Sequence, residues 1–415
     1  MIKKYFALFP VCALIIICHY GQAQNSITTD QLNGRMNEPR VITTAVPFLT
    51  ISPDARSGGM ADVGVAISPD ANAMYWNPAK LAFVENNMGF SLSYNPWLRK
   101  LVNDMSLSYL SGYKRIRKEE AIGLSLNYFN LGSIQFTDQM GNPMQTHNPK
   151  EYSFAGGYSR KLSQTMGVGI VLKYIHSNLS GNMTFANGTT SKPGNTAAAD
   201  VGLYYRDDYI INGTNTNIAL GLMISNIGAK ISYSNNANRD FIPTNLKLGT
   251  AITTELDPYN KFVFAFDVNK LLVPTPPVYY PRASGGGDSL DADGNRVIYK
   301  GQNPDRPLLS GMFGSFTDAP GGAREELQEL ILSGGVEYWY NDLFAVRGGY
   351  FYENRLKGNR KYFTLGFGIR YQVFGLDFAY LIPVRSNNPL AETLRFTLHF
   401  NFETKDQRGV DSVTD

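Results

Sequence analysis

Between Ala121 and Phe129 the chain reads AIGLSLNYF. Extended, it puts Ile122, Leu124, Leu126 and Tyr128 on one face and Gly123, Ser125 and Asn127 on the other. The alternation returns in NIALGLMIS, where Ile218, Leu220, Leu222 and Ile224 oppose Asn217, Ala219, Gly221 and Ser225. It returns in KFVFAFDVNK, where Phe262, Phe264, Phe266 and Val268 oppose Val263, Ala265, Asp267 and Asn269. YFTLGFGIRY and the run from Phe396 to Phe402 repeat it. A period of two with one apolar and one small or polar face predicts strands. The apolar face points either into the core of a sandwich or out to lipid from a membrane barrel.

Segment spacing separates these two readings. Strands are predicted near 88–96, 103–113, 120–130, 152–161, 165–178, 197–206, 216–227, 244–254, 261–270, 330–340, 343–352, 360–372, 374–382 and 394–403. Short turns fall at 114–119, 162–164, 255–260, 341–342 and around 373, with an intermediate one at 207–215. Longer loops fall between them, at 131–151, 179–196, 228–243, 271–329 and 383–393. Short turns at one end and long loops at the other mark an outer-membrane barrel whose short side is periplasmic. Aromatic strand ends such as VEYWY and GYFY fit interfacial girdles. The expected fold class is all-β, a transmembrane antiparallel β-barrel of about 14 strands.

Composition narrows the picture. Charged residues are 18% of the 415, against roughly 25% in a soluble domain. The formal net charge of +3 gives no reason to expect nucleic acid as a partner. At the start, Lys3-Lys4, an apolar run from Tyr5 to Cys18 and Gly21-Gln22-Ala23 predict a cleaved signal peptide over 1–23. Ile17 stands before Cys18 where a lipoprotein site needs a small residue. Cys12 and Cys18 are the only cysteines, so the mature chain is expected to hold no disulfide, thiolate metal site or cysteine nucleophile.

The loop 271–329 stands out by its length. It contains LLVPTPPVYYPRAS, GGGDSLDADGN, PLLSGMFGSF and AREELQELIL, the last patterned like a short amphipathic helix. Leu308, Leu309, Met312, Phe313 and Phe316 either pack into the barrel mouth or bind a partner. Asp288, Asp291, Asp293 and Asn295 resemble calcium ligands, but the motif has no closing Glu, and a solvated turn is the simpler reading. His147, His176 and His399 have no metal-ligand spacing, and no nucleophile elbow or phosphate loop occurs, so no metal or cofactor is expected. The basic run YKRIRKEE, Tyr113 to Glu120, reads as a solvated turn that a lipid headgroup or partner can also contact. Lys173, Asp200, Asp267, Arg347 and Arg370 fall on lumen faces and are expected to pair with one another.

The segment before the first strand, ITTAVPFLTISPDARSGGMADVGVAISPDANAMYWNPAKLAF from Ile42 to Phe83, carries a resemblance. It is similar to the FadL-like outer-membrane barrels and, more narrowly, to the PorV (LptO) family of the type IX secretion system. The resemblance implies a plug, or hatch, inside the barrel, built with Gly58, Gly59, Asp62, Gly64, Asp70, Asn77, Pro78 and Ala79 in structural roles. The even strand count puts both ends of the barrel on the periplasmic side, so with this plug the expected organisation is a periplasmic extension at 24–41, a plug at 42–87, a barrel at 88–403 and a periplasmic tail at 404–415. The family implies an outer-membrane shuttle that takes cargo bearing a C-terminal signal domain from a SprA/Sov-like translocon barrel. It delivers that cargo to a PorU-like surface sortase for attachment to lipopolysaccharide, without catalysis of its own. Leu271, Leu272, Val273, Tyr279, Tyr280, Leu308, Leu309, Met312, Phe313 and Phe316 are the candidate cargo or partner contacts. One departure is that ETKDQRGVDSVTD follows Phe402, where related barrels often end on an aromatic residue. The competing functions are a FadL-like channel for hydrophobic small molecules, which shares the fold, and lipid A deacylation, which needs a nucleophile and base within reach.

Overall fold

The computed structural model describes residues 38–402 apart from 100–101, 103, 138–139, 185–187, 189, 235–238, 281–287 and 386–392. The predicted signal peptide at 1–23 and the predicted tail at 404–415 lie outside the described residues. The strands are β1 Met88–Pro96, β2 Ser106–Arg117, β3 Glu120–Asn130, β4 Ile134–Thr137, β5 Pro143–His147, β6 Lys150–Lys161, β7 Met166–Asn178, β8 Gly194–Ile211 and β9 Thr214–Gly228. They continue as β10 Asn245–Glu255, β11 Asn260–Leu271, β12 Val278–Tyr279, β13 Ile298–Lys300, β14 Ile331–Tyr340, β15 Phe344–Tyr352, β16 Lys361–Tyr371, β17 Phe374–Pro383 and β18 Leu394–Phe402. Fourteen of them close an antiparallel barrel, each next to its neighbour in sequence, with β18 completing the ring on β1. The β4–β5 and β12–β13 pairs are small ribbons in the long loops.

The wall follows from the alternation. Ile122, Leu124, Leu126 and Tyr128 point outward, exposed, while Asn127 and Ser125 are buried in the lumen. No soluble interior would leave so many large apolar side chains uncovered; a lipid-facing band does. The six turns that join β2–β3, β6–β7, β8–β9, β10–β11, β14–β15 and β16–β17 are short and share one end, here the inner end. β1 starts and β18 finishes there too.

Three strands differ from the predicted limits for a physical reason. β2 runs on to Arg117, so Lys114 to Arg117 of the basic run belong to a strand end rather than a turn. β8 extends well past the predicted 197–206, and β9 slightly past the predicted 216–227. Pairing needs only backbone, whereas the alternation fades once the outward face leaves lipid, as at Asp207.

The segment before β1 crosses the lumen from the outer end to the inner end. It enters as an irregular strap, where Arg40 N–H bonds Leu356 O at 3.0 Å and Ala45 N–H bonds Phe241 O at 2.9 Å. Val46, Phe48 and Leu49 pack on Leu107, Phe129, Ile175 and Ile242 near the outer strand ends. Short helices at Ala55–Gly58, Ala73–Trp76 and Pro78–Phe83 follow, and Phe83 packs beside Tyr204. The proposed periplasmic extension at 24–41 is described only at 38–41, and the strap residues Arg40 and Val41 sit at the outer end, against the long loops.

Candidate functional site

A plug is a liability unless the wall holds it. Its backbone is irregular, so each buried N–H and C=O needs a partner that no ladder supplies. The wall provides them. Asp267 on β11 accepts from the N–H groups of Gly64 and Val65 at 2.8 and 3.0 Å. Thr397 on β18 accepts from Ala55 N–H at 2.8 Å. Thr364 on β16 accepts from Ala61 N–H and donates to Gly59 O, both at 2.9 Å. Ala61 and Asp62 lie at φ of 58° and 65°, a left-handed conformation that costs a non-glycine residue about 1–3 kcal/mol. The Asp62 carboxylate, held by Arg395 and by Tyr362 Oη at 2.7 Å, fixes that turn.

Across the middle runs a chain of buried charges. Arg56 on the plug donates to Glu337 on β14 through Nε and Nη2 at 3.1 and 2.8 Å, and to Asp70 at 3.2 Å. Glu337 also accepts from Arg347 Nε at 2.6 Å, and Arg347 reaches Asp377 at 2.9 Å. Asp377 gathers Arg370 at 2.6 Å and His399 Nε2 at 2.7 Å. Asp54 caps the first plug helix on Ser57 N–H at 2.8 Å and accepts from Trp76 Nε1 at 2.6 Å. Lys173 pairs with Asp200 at 2.7 Å. Of the five lumen charges expected to pair with one another, only Lys173 and Asp200 do; Arg347 and Arg370 turn to Glu337 and Asp377 instead, and Asp267 spends a carboxylate oxygen on the plug backbone.

The lumen glycines admit this segment. A methyl group on Gly349 would lie 2.7 Å from the Ala61 nitrogen, so a side chain there excludes the plug.

The second assembly is the cap formed by 271–329, with helices at Leu308–Gly314 and Ala323–Gln328. Lys270 faces the outside of the wall yet is buried, because the cap covers it: its Nζ meets Glu326 at 2.9 Å and Glu329 at 2.6 Å. Lys357, from the β15–β16 loop, meets Glu325 at 2.6 Å and Glu329 at 2.8 Å. Arg40 from the strap grips Glu325 with two bonds, at 2.9 and 2.7 Å. Burial pushes the Glu325 carboxyl up, but the Arg40 and Lys357 bonds outweigh it and bring the group down to about 2. Beside the strap lies a cavity of about 430 Å³, lined by Ile42, Pro47, Pro243, Leu271, Ile331 and the charged Glu329, Glu353, Lys357 and Arg360.

The ten candidate contacts divide. Leu272, Val273 and Met312 are buried inside the cap, and Leu271, Tyr279 and Leu308 are half-buried. Tyr280, Leu309, Phe313 and Phe316 remain exposed, the last three at 61%, 74% and 44%. Leu309 and Phe313 are four apart on one helix and share a face, with Phe316 just beyond its end. The plug candidates Gly58, Gly59, Asp62, Gly64, Asp70, Asn77, Pro78 and Ala79 all sit in the lumen. Gly58 lies on Arg395, Gly59 on Gly366, and Gly64 under Trp76. Asn77 Nδ2 bonds Leu203 O at 2.9 Å, and Pro78 and Ala79 press on Gly169.

Asp54, Arg56, Glu337, Asp377, Arg395 and Lys80, whose Nζ donates to Gly64 O at 2.6 Å, were not foreseen, although an arginine among the small residues of SPDARSGG is a signal that it needs an acid. His147 ends β5 in a long outer loop, His176 lies near the outer end of the wall strand β7, and His399 lies in the lumen. Among the described residues no three acidic, histidine or cysteine side chains converge as a metal site. Asp291 instead closes a turn, accepting from the N–H groups of Asp293 and Asn295 at 3.0 and 2.8 Å.

No curated protein matches the chain. Among solved structures, the P. putida toluene transporter TodX is 12% identical over 85% of this chain and 99% of its own, with a TM-score of 0.48. The Ralstonia pickettii toluene transporter TbuX is 12% identical over 84% and 98%, with a TM-score of 0.43. A Pseudomonas aeruginosa FadL homologue is 11% identical over 88% and 100%, with a TM-score of 0.43. The family described as type IX secretion system protein PorV matches residues 34–278. A closed barrel with an apolar outward face and this family match belongs in the outer membrane of a Gram-negative bacterium. With more than half of its length matched, the chain belongs to the PorV family of type IX secretion system proteins.

Proposed function

We propose that this protein is a cargo-binding shuttle of the type IX system. It receives exported proteins through their C-terminal signal domains at a SprA/Sov-like translocon barrel. It then hands them to a PorU-like attachment complex on the cell surface, acting by binding rather than by catalysis. The observation that carries the reading is the ridge of Leu309, Phe313 and Phe316, exposed on a cap that buried ion pairs hold rigid at the outer rim. Apolar side chains presented this way are more often a docking surface than a packing residue left over. The cap flanks β11 and β14 on the outside of the wall, where a neighbouring barrel in the same membrane can reach it.

A FadL-like channel is the second reading, and the cavity at the outer mouth favours it. Against it stand the ion pairs and backbone bonds that tie the plug across the lumen. The β3–β6 ladder also runs without a break from Glu120↔Arg160 to Asn130↔Lys150, leaving no lateral opening in that part of the wall.

The test is binding of a purified cargo signal domain to the protein in nanodiscs. Burying a large apolar side chain is worth about 1.5–3 kcal/mol, so Leu309→Ser with Phe313→Ser is expected to weaken binding at least about 100-fold. Unchanged affinity, in a barrel that still assembles, removes the ridge from the cargo contact.

A further inference from the structure

The strap that closes the outer mouth is an extended peptide lying in a groove. Around Arg40 to Ala45 it has no regular structure, and its N–H groups at Arg40 and Ala45 bond carbonyls of two different outer loops, Leu356 and Phe241. Its anchor is one side chain, the Arg40 guanidinium, bound twice to Glu325. Val41 is 43% exposed, and the cavity beside Ile42 is left unfilled by the strap.

The charges beneath say what the groove requires. Glu325, Glu326 and Glu329 face Lys270, Lys357 and Arg40. Three carboxylates meet three cations, so without Arg40 one negative charge is left uncompensated in a partly buried site. A guanidinium–carboxylate fork is the geometry best suited to fill such a place. Deeper in, Leu271, Ile331 and Pro243 offer an apolar wall with room for a side chain larger than the strap supplies.

We propose that this groove is a receptor for an extended polypeptide segment that carries a basic residue followed by apolar ones, and that the strap is its resident occupant in cis. The incoming segment replaces Arg40 on Glu325, takes the Leu356 and Phe241 carbonyls, and fills the cavity with an apolar side chain. The identification of that segment as part of the secreted cargo rests on the shuttle reading above; the groove itself does not.

The probe is a fluorescent synthetic peptide that copies residues 38–46, added to the full chain in nanodiscs. Two variants empty the groove: Arg40→Ala, and a chain with residues 39–45 replaced by glycine and serine. Heat-modifiable migration on a gel verifies that both are folded. The peptide is expected to bind both variants at least about tenfold more tightly than the unaltered chain. Adding Glu325→Gln to either is expected to cut that binding at least about tenfold, and a peptide with glutamate in place of its arginine is expected not to bind. Binding that ignores Glu325→Gln or the peptide's charge overturns the proposal, as does no binding to either folded variant. A fluorescent fatty acid that fills the cavity and is not displaced by the peptide assigns it to a small apolar ligand and also overturns it. Cargo display in cells is a separate measurement, so failure of the shuttle reading leaves this result standing, and the reverse.

Discussion

Replacing Glu337 by alanine removes one of the carboxylates that join plug to wall. Glu337 is fully buried and accepts three bonds, two from Arg56 and one from Arg347. Without it, two guanidinium groups remain in the lumen with one acid each: Asp70 for Arg56 at 3.2 Å and Asp377 for Arg347 at 2.9 Å. Breaking a buried pair by removing one partner costs about 3–5 kcal/mol, and the surviving acids put Glu337→Ala near the lower end, about 3 kcal/mol. Glu337→Gln keeps the volume and one acceptor and is expected to lose about half of that. Urea unfolding of the protein refolded into lipid vesicles reads the loss through tryptophan fluorescence. Trp76 on the plug and Trp339 on β14 are two of the chain's three tryptophans. The slope against urea is expected to stay unchanged, because the surface exposed on unfolding is the same. A double-mutant cycle with Arg56→Ala isolates the link, with an expected coupling of about 2 kcal/mol. A loss under about 0.5 kcal/mol, or full additivity in the cycle, refutes the claim that this pair holds the plug to the wall.

Gly349→Val sets a branched side chain against Met60 and Ala61, and overpacking of this kind costs about 1–3 kcal/mol. The plug is expected to shift and single-channel conductance in planar bilayers to rise; a silent, stable variant shows that the close approach is dispensable. The strap's position is open to labelling, since Cys12 and Cys18 are the only cysteines and both lie in the predicted signal peptide. Val41→Cys is expected to react with a membrane-impermeant maleimide on intact cells, and reaction only after permeabilisation places the strap in the periplasm. Glu325 has its folded value brought down to about 2 from an ordinary 4.5, so its contribution is fully present above about 4.5 and is lost as pH falls toward 2. An environment-sensitive dye on Val41→Cys is expected to shift its emission to the red within that window. With Glu325→Gln added, the shift is expected already at neutral pH, and a dye that reports no change in either case shows that Glu325 does not hold the strap.

The barrel was legible because lipid is an unforgiving solvent. Every second residue of a spanning strand must be apolar, so Ile122, Leu124 and Leu126 announce a strand without help from any partner. β1 and β3 match their predicted limits for this reason. Where the constraint stops the pattern stops, which is why the ends of β2, β8 and β9 and the β4–β5 and β12–β13 ribbons were not visible. The plug has no period of its own and was legible only through its resemblance. Its partners could not be read locally, since Arg56 and Glu337 are 281 residues apart and meet only once the barrel has closed. The cap was half legible: composition marked its apolar residues, but only packing separates the buried Met312 from the exposed Phe313 one position on.

The most direct test of the shuttle reading is complementation in a deletion strain with the chain carrying Leu309→Ser and Phe313→Ser, scored by where cargo with its C-terminal signal domain accumulates. The expected result is an outer-membrane barrel at normal abundance with cargo held in the periplasm, as in the deletion itself. Normal display of processed cargo on the cell surface would contradict it.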